Sequence, residues 1–109
     1  MKNKLTPEII VLIANRFRVL AEPTRLEILH GLGSDECSVG EIVSMTGATQ
    51  PNVSKHLRVM QGAGILKRRQ EKNSVYYSVA DESIFSMCDT VCSSLREQTE
   101  NRSKIMALV

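Results

Sequence analysis

Residues 38–61 of the chain have the sequence SVGEIVSMTGATQPNVSKHLRVMQ. Ser38 and Glu41 have the spacing of a capping box, which predicts a short helix that starts here and ends at Gly47. Thr49, followed closely by a proline, is typical of the start of a second helix. Two helices joined by a short turn that contains glycine form a helix-turn-helix. We therefore expect this unit to organise the chain.

The second helix of this unit carries short polar and basic side chains. Those predicted to contact DNA are Thr49, Gln50, Asn52, Ser54, Lys55, His56 and, further along, Arg58. Gln50 and Asn52 have the amide groups that pair with adenine. The hydroxyl of Ser54 and the ammonium group of Lys55 suit bases or backbone phosphates. The unpaired N–H groups at the start of a helix also favour phosphate, so this surface is the predicted DNA-recognition face.

A basic hairpin is predicted after the second helix, with strands at residues 65–70 and 74–79 and a turn at Glu71-Lys72-Asn73. Its cations are Lys67, Arg68, Arg69 and Lys72. Between residues 47 and 79, six basic residues stand against one acidic residue, a local charge of +5 in a chain whose formal charge is +2. Such a segment is what a phosphate-binding wing requires. We therefore expect the hairpin to contact the DNA backbone or an adjacent minor groove.

The first and last predicted helices have apolar faces. The first begins at Thr6-Pro7 and the last at Asp81. The apolar positions at helical spacing are Ile9, Ile10, Ile13, Phe17 and Leu20 in the first helix, and Ile84, Cys88, Val91 and Leu95 in the last. A chain of 109 residues buries only a modest core, so a second copy would cover these faces better than the chain alone.

These elements predict a mainly α (α+β) fold, a winged helix-turn-helix with the element order α-α-α-α-β-β-α. We expect a homodimer formed through the first and last helices. The apolar content of 42% and the charged content of 24% are those of an ordinary folded domain. We expect a single DNA-binding and dimerisation domain over residues 1–109, with fraying after about residue 98, where the pattern becomes polar.

Other function classes fit the sequence less well. We expect a cytoplasmic protein with reduced thiols, because the apolar run at residues 9–13 is too short for a secretory signal and no segment reaches the length of a membrane span. The two histidines lie on separate helices, and no nucleophile–base pair or glycine-rich phosphate loop is recognisable, so we expect no enzyme and no required cofactor. A winged-helix module that binds protein is the alternative, but it would not need four cations in the wing.

Five segments of the chain together carry a family resemblance. They are LAEPTRLEIL at residues 20–29, SVGEI at 38–42, QPNVSKHLRVM at 50–60, GAGIL at 62–66 and VYY at 75–77. In combination they resemble the ArsR/SmtB-type repressors, over about residues 10–95. The resemblance implies a transcriptional repressor that binds double-stranded operator DNA of dyad symmetry. It also implies a homodimer built from the first and last helices, which loses DNA affinity when an inducer binds.

The resemblance leaves the inducer open. Some members of this family bind zinc through histidine and carboxylate ligands of the last helix, but here that helix has no histidine, and His30 and His56 lie in other helices. Other members bind arsenite through a Cys-x-Cys pair at the start of the third helix. This chain has Ser38 and Gly40 at those positions, with Cys37 alone beside them. We therefore expect neither kind of site.

Cys88 and Cys92 are the remaining candidates for sensing. Their spacing of four puts both thiols on one face of the last helix. Two thiolates there can bind a thiophilic ion such as As(III), with Cys37 or a thiol of the second copy as a third ligand. The pair can instead undergo redox or persulfide chemistry, or simply pack as small apolar side chains. A repressor without cysteine-based sensing is therefore an open alternative.

Overall fold

The structure is a computed structural model that describes residues 4–108. In chain order its elements are α1 (Pro7–Leu20), α2 (Pro23–Leu32), β1 (Cys37–Ser38), α3 (Val39–Thr46), α4 (Gln50–Gly62), β2 (Leu66–Glu71), β3 (Ser74–Val79) and α5 (Ser83–Ala107). The helices and the hairpin follow the predicted order. The short strand β1 was not predicted, because two residues are too few to carry a strand pattern.

Local hydrogen bonds explain where the helices begin. In α1 the backbone N–H of Ile9 donates to the hydroxyl of Thr6 at 3.2 Å, and a proline occupies the first helical position. The predicted capping box opens α3. The N–H of Glu41 donates to Ser38 Oγ at 3.2 Å, and the N–H of Ser38 donates to the Glu41 carboxylate at 2.9 Å. This second bond lowers the pKa of Glu41, because it stabilises the charged carboxylate.

The three strands form one antiparallel sheet in the order β1-β3-β2. Cys37 of β1 lies opposite Tyr77 of β3, and Leu66 of β2 lies opposite Val79 of β3. The β2–β3 hairpin is the predicted wing, and it turns through Lys72, whose φ of 55° is unusual for a residue with a side chain. The sheet joins the wing to the start of α3, so the wing is held beside the helix-turn-helix.

A closed hydrophobic core lies between α2, α3, α4 and the sheet. Its buried members are Leu20, Ile28, Leu29, Leu32, Ile42, Val53, Leu57, Met60, Ile65, Leu66, Tyr77, Val79 and Ile84. Three of them, Val53, Leu57 and Met60, come from α4 and are fully buried. Together they determine which face of α4 is turned away from the core.

Helices α1 and α5 lie largely outside this core. Large apolar side chains along both are exposed, among them Phe17 at 53% and Leu95 at 58%. Helix α5 is continuous to Ala107. The sequence pattern had instead predicted fraying after about residue 98. Residues 98–107 contain no glycine or proline, and Glu100 stands four positions before Lys104, a spacing that favours helix. Across residues 4–108, no helix combines the length and apolarity needed to cross a membrane.

Arg16 ties the outer helices to the end of α4. Its guanidinium donates to the carbonyl of Ala63, just after α4, and to the carboxylate of Asp81, just before α5, both at 3.2 Å. The pKa of Asp81 is lowered by hydrogen bonds from Ser83 and by the nearby Arg16 charge. One side chain of α1 therefore fixes the spacing between the helix-turn-helix and α5.

Candidate nucleic-acid interface

The turn between α3 and α4 depends on a glycine. Gly47 has a φ of 69°, in the left-handed region that other residues rarely adopt, and its N–H donates to the carbonyl of Val43 at 3.0 Å. The hydroxyl of Thr46 accepts a hydrogen bond from the N–H of Ala48 at 3.2 Å. These contacts end α3 sharply and let α4 begin within three residues, which is the geometry of a helix-turn-helix.

The outward face of α4 carries most of the predicted recognition residues. Gln50, Asn52, Lys55 and Arg58 are exposed, and Ser54 is half-buried. Thr49 is exposed as well, but its hydroxyl caps α4 by accepting the N–H of Asn52 at 3.4 Å. Six of the seven residues predicted to contact DNA from this helix are therefore at least partly accessible. Thr49 is used as the cap of the helix, which leaves five whose side chains are available for DNA.

His56 is the exception, and the prediction that it faces DNA does not fit the structure. The residue is only 7% exposed and is turned inward between α4 and α2. Its Nδ1 accepts a hydrogen bond from Arg25 Nε at 3.0 Å. The sequence pattern was misleading because a histidine on a polar helix resembles a surface residue until its partner from another helix, Arg25, is known.

The wing presents its cations unequally. Lys67, Arg68 and Lys72 are exposed, and none of them has an ion pair in the part of the chain that the structure describes. Arg69 is also partly exposed, but its guanidinium is paired with the carboxylates of Glu36 and Glu71, each at 2.7 Å.

Arg69 is consequently a structural residue of the wing as well as a charge. Its guanidinium lies 4.8 Å from the centre of the Tyr76 ring, its neighbour across the hairpin. The hydrogen bond from Arg69 lowers the pKa of Glu36, and the two carboxylates raise the pKa of Arg69. Two negative charges compensate this cation in place, so it attracts phosphate less than its neighbour Arg68 does.

A cleft of about 420 Å³ separates α4 from the wing. Ser54, Arg58 and Gln61 line it from α4, Arg68 from β2 and Tyr77 from β3. Two arginines from different elements therefore border one cavity. Guanidinium groups that line a cleft from two sides can both approach one phosphate group.

The candidate sensing cysteines lie elsewhere in the molecule. Cys88 is half-buried and Cys92 is exposed, and both line an open apolar groove of about 530 Å³ between α1, α2 and α5. Phe17 and Leu95 are among the other residues of this groove. The guanidinium of Arg96 lies 3.7 Å from the sulfur of Cys92.

Cys37 does not join this pair within one chain. It is half-buried on β1 and is not among the residues that line the groove. Burial raises the pKa of Cys37 and of Cys88, with smaller contributions from nearby carboxylates. Residues 4–108 contain no group of three or more His, Cys, Asp or Glu side chains placed to hold a metal ion.

Sequence reasoning missed several residues that shape this surface. Glu36 orders the wing through Arg69, and Arg25 holds His56. Both pairs join residues more than thirty positions apart, so local patterns carry no signal for them. The excess of cations in residues 47–79 suggested that all of them are unpaired. Arg69, however, is compensated in part by Glu36, which lies before that segment.

Comparison with known proteins identifies the family. The model described as "Bacterial regulatory protein, arsR family" matches residues 22–68. The HTH-type transcriptional regulator KmtR of Mycobacterium tuberculosis is 31% identical over 75 residues, which are 69% of this chain and 58% of KmtR. The chain thus spans less than two thirds of the length of this curated relative.

Solved structures match more of the chain. The crystal structure of Rv0081 from M. tuberculosis is similar with a TM-score of 0.78 and 31% identity, covering 90% of this chain and 98% of Rv0081. The homodimeric winged helix-turn-helix DNA-binding domain of Mb0332 from Mycobacterium bovis, solved by NMR, has a TM-score of 0.72 and 25% identity, covering 89% and 92%. The matches confirm the predicted winged helix-turn-helix fold, and they include proteins named as transcriptional regulators. The chain belongs to the ArsR family of bacterial regulatory proteins.

Proposed function

We propose that this chain is a sequence-specific transcriptional repressor that acts in the cytoplasm. It binds double-stranded operator DNA as a homodimer, and the whole chain serves as one DNA-binding and dimerisation domain. The observation that carries this proposal is the cleft between α4 and the wing, where Arg58 and Arg68 stand beside the exposed polar face of α4. A winged-helix module that binds protein is the alternative, but it would not need this combination of basic wing and polar helix.

The recognition helix reads bases with its first two turns. The amides of Gln50 and Asn52 suit adenine, and Lys55 suits guanine or a neighbouring phosphate. The start of α4 presents the positive end of the helix dipole to the DNA backbone, although Pro51 has no N–H and Thr49 caps the N–H of Asn52. Ser54, half-buried at the rim of the cleft, makes a shorter-range contact than the longer side chains.

The backbone contacts come from both sides of the cleft. Arg58 and Arg68 hold a phosphate between them, and Lys67 and Lys72 extend the positive surface along the wing. Arg69 keeps the wing in place and adds little to phosphate attraction, because Glu36 and Glu71 already compensate its charge.

The dimer forms through α1 and α5. An apolar groove lined by Phe17, Val91 and Leu95 has no cover within one chain, and side chains of this size are rarely left so exposed together. The homodimeric state of the Mb0332 domain supports a second copy as the cover. A two-fold dimer sets two recognition helices against two half-sites, which accounts for an operator with dyad symmetry.

An inducer acts at the groove that Cys88 and Cys92 line. Because the groove is part of the dimer interface, a thiophilic ion such as As(III), or oxidation or persulfidation of the thiols, changes the packing of α5 and thereby the distance between the two recognition helices. The third thiol of an As(III) site comes from the second copy, since Cys37 is on β1. The alternative is that the half-buried Cys88 only packs, and the repressor senses by other means.

The experiment is a fluorescence-anisotropy titration of the full chain on the DNA upstream of its own coding sequence. The titration is first made with the reduced protein and then repeated in the presence of arsenite, zinc, peroxide or polysulfide. The wild type and a Cys88→Ser/Cys92→Ser variant are compared, with Cys37→Ser as the matched control. We expect tight binding, abolished by one thiol-reactive signal in the wild type and in Cys37→Ser but not in the double variant. DNA binding that is unchanged by every signal would mean that the cysteines serve only in packing. The absence of DNA binding at low salt would refute the proposal that the chain is a repressor.

A further inference from the structure

The inward face of α4 contains one polar side chain among apolar ones. His56 is buried beside Val53 and Leu57, and its ring has two neighbours from outside the helix. Arg25 Nε lies 3.0 Å from Nδ1, and a carboxylate oxygen of Glu22 lies 3.7 Å from Nε2. A buried histidine with a hydrogen bond at Nδ1 and a carboxylate near Nε2 is a more specific contact than the apolar packing around it.

Arg25 connects three parts of the fold through this contact. Its Nε donates to His56 in α4, and its Nη1 donates to the carbonyl of Val19 near the end of α1, at 3.1 Å. Its own backbone N–H donates to the carboxylate of Glu22 at 3.1 Å, in the turn before α2. The planar guanidinium has fixed donor directions, so it holds α4 at a defined position relative to α1 and α2.

The chemistry of the pair determines the state of the imidazole. An arginine Nε can only donate, so His56 must accept at Nδ1, and the ring proton therefore lies on Nε2, towards Glu22. The packing of Val53 and Leu57 determines which face of α4 meets the core, and the hydrogen bond adds a finer constraint because it weakens steeply as its angle changes. The directed contact is thus suited to set the rotation of α4 about its axis.

We propose that Arg25 and His56 are positioning residues of the recognition helix. They do not touch DNA. They fix the rotation of α4, and hence the direction in which Asn52 and Lys55 point, and they join that helix to the end of α1, which carries the dimer contact. This inference rests on the proposed DNA-binding function and deepens it, because it names the contact that orients the recognition helix.

Two substitutions of similar polarity separate this role from general packing. In His56→Asn the side-chain oxygen takes the place of Nδ1 and can accept from Arg25, whereas in His56→Gln the amide reaches only the place of Nε2. We expect His56→Asn to bind a selected DNA site within about threefold of the wild type. We expect His56→Gln to lose roughly tenfold or more, with little change in binding to unrelated DNA, because the loss is that of a hydrogen bond to a charged group.

Arg25→Lys provides the partner test. Lysine keeps the charge but has no Nε–H fork, so we expect it to weaken specific binding as His56→Gln does. The double variant Arg25→Lys/His56→Gln should be no more than about twofold weaker than either single variant, because the two residues act through one contact. Additive losses in the double variant, or equal losses in His56→Asn and His56→Gln, would overturn the proposal.

Nitrogen NMR of the histidine rings in the wild-type chain tests the same contact without DNA and without a substitution. We expect His56 at pH 8 to carry its proton on Nε2, with Nδ1 in the chemical-shift range of an unprotonated acceptor. A proton on Nδ1 would overturn the inference even if every variant failed to fold. Failure of the wild type to bind any DNA, with the expected ring tautomer, would instead refute the proposed function and with it the positioning of the helix for DNA.

Discussion

The helix-turn-helix with its wing and the pair of outer helices differ in how completely one chain buries them. In the first region Ile42, Val53 and Leu57 are 0% exposed, and its polar contacts are made within the chain. In the second, Phe17, Val91 and Leu95 are half-exposed or more along one groove. The DNA-binding half is therefore complete in one copy, whereas the α1–α5 half needs a second copy to bury its apolar surface.

The comparison can be tested first in the closed core. Replacing Leu57 with alanine should lower the free energy of unfolding by about 2–5 kcal/mol, because it leaves a cavity among fully buried side chains. Val11, 58% exposed on α1, is the control, and its replacement by alanine should change stability by less than about 1 kcal/mol. Urea denaturation of the wild type and the two variants, all at the same protein concentration, measures both changes in the free energy of unfolding. Similar losses from the two substitutions would remove the contrast between the regions.

The outer helices are tested by association. Leu95→Glu should weaken dimerisation by roughly 100-fold, because a carboxylate would have to be buried in an apolar interface. Ser93→Glu, on the opposite side of α5, adds the same charge and should leave the dimer intact. Sedimentation equilibrium gives the dissociation constants. A Leu95→Glu chain that stays dimeric would mean that another surface joins the copies.

The wing allows a contrast between neighbouring arginines. Arg68→Ala should reduce the slope of log affinity against log salt by about 0.9 for each lost phosphate contact, nearly two units for a dimer. Arg69→Ala should change this slope less, because Glu36 and Glu71 already compensate that charge. Anisotropy titrations on one duplex at several salt concentrations compare the two variants. A larger slope change for Arg69→Ala would reverse the assignment of roles.

The smallest expected effect concerns thiol reactivity. Burial raises the pKa of Cys88, so at neutral pH its reactive thiolate fraction is below that of an ordinary cysteine, and the difference disappears above the raised pKa. Iodoacetamide should therefore modify Cys92 before Cys88 in the monomeric Leu95→Glu chain. Asp89→Asn should speed the reaction of Cys88 slightly, because Asp89 also raises its pKa. Mass spectrometry of timed samples follows both sites, and faster alkylation of Cys88 than of Cys92 at neutral pH would contradict this ordering.

The sequence predicted those parts of the molecule that depend on short-range chemistry. The capping box of Ser38 and Glu41, the end of α3 at Gly47 and the basic hairpin all depend on neighbouring residues, so their patterns are visible along the chain. The apolar stripes of the outer helices were visible for the same reason.

Contacts between distant segments could not be predicted in this way. The burial of His56 depends on Arg25, and the compensation of Arg69 depends on Glu36, each more than thirty positions away. Strand β1 exists only because Cys37 and Ser38 pair with β3. The full length of α5 was missed because a polar pattern was taken as a sign of fraying, although its residues favour helix.

Selection of DNA from a library of random duplexes shows whether the chain binds an operator of dyad symmetry. The wild-type chain is incubated with the library at moderate salt, and the bound duplexes are amplified and sequenced over several rounds. A dimeric winged helix-turn-helix repressor predicts an enriched inverted repeat whose half-sites lie about 10 base pairs, or a multiple of this, from centre to centre. Enrichment of no sequence, or of a single half-site without its inverted copy, would contradict the account.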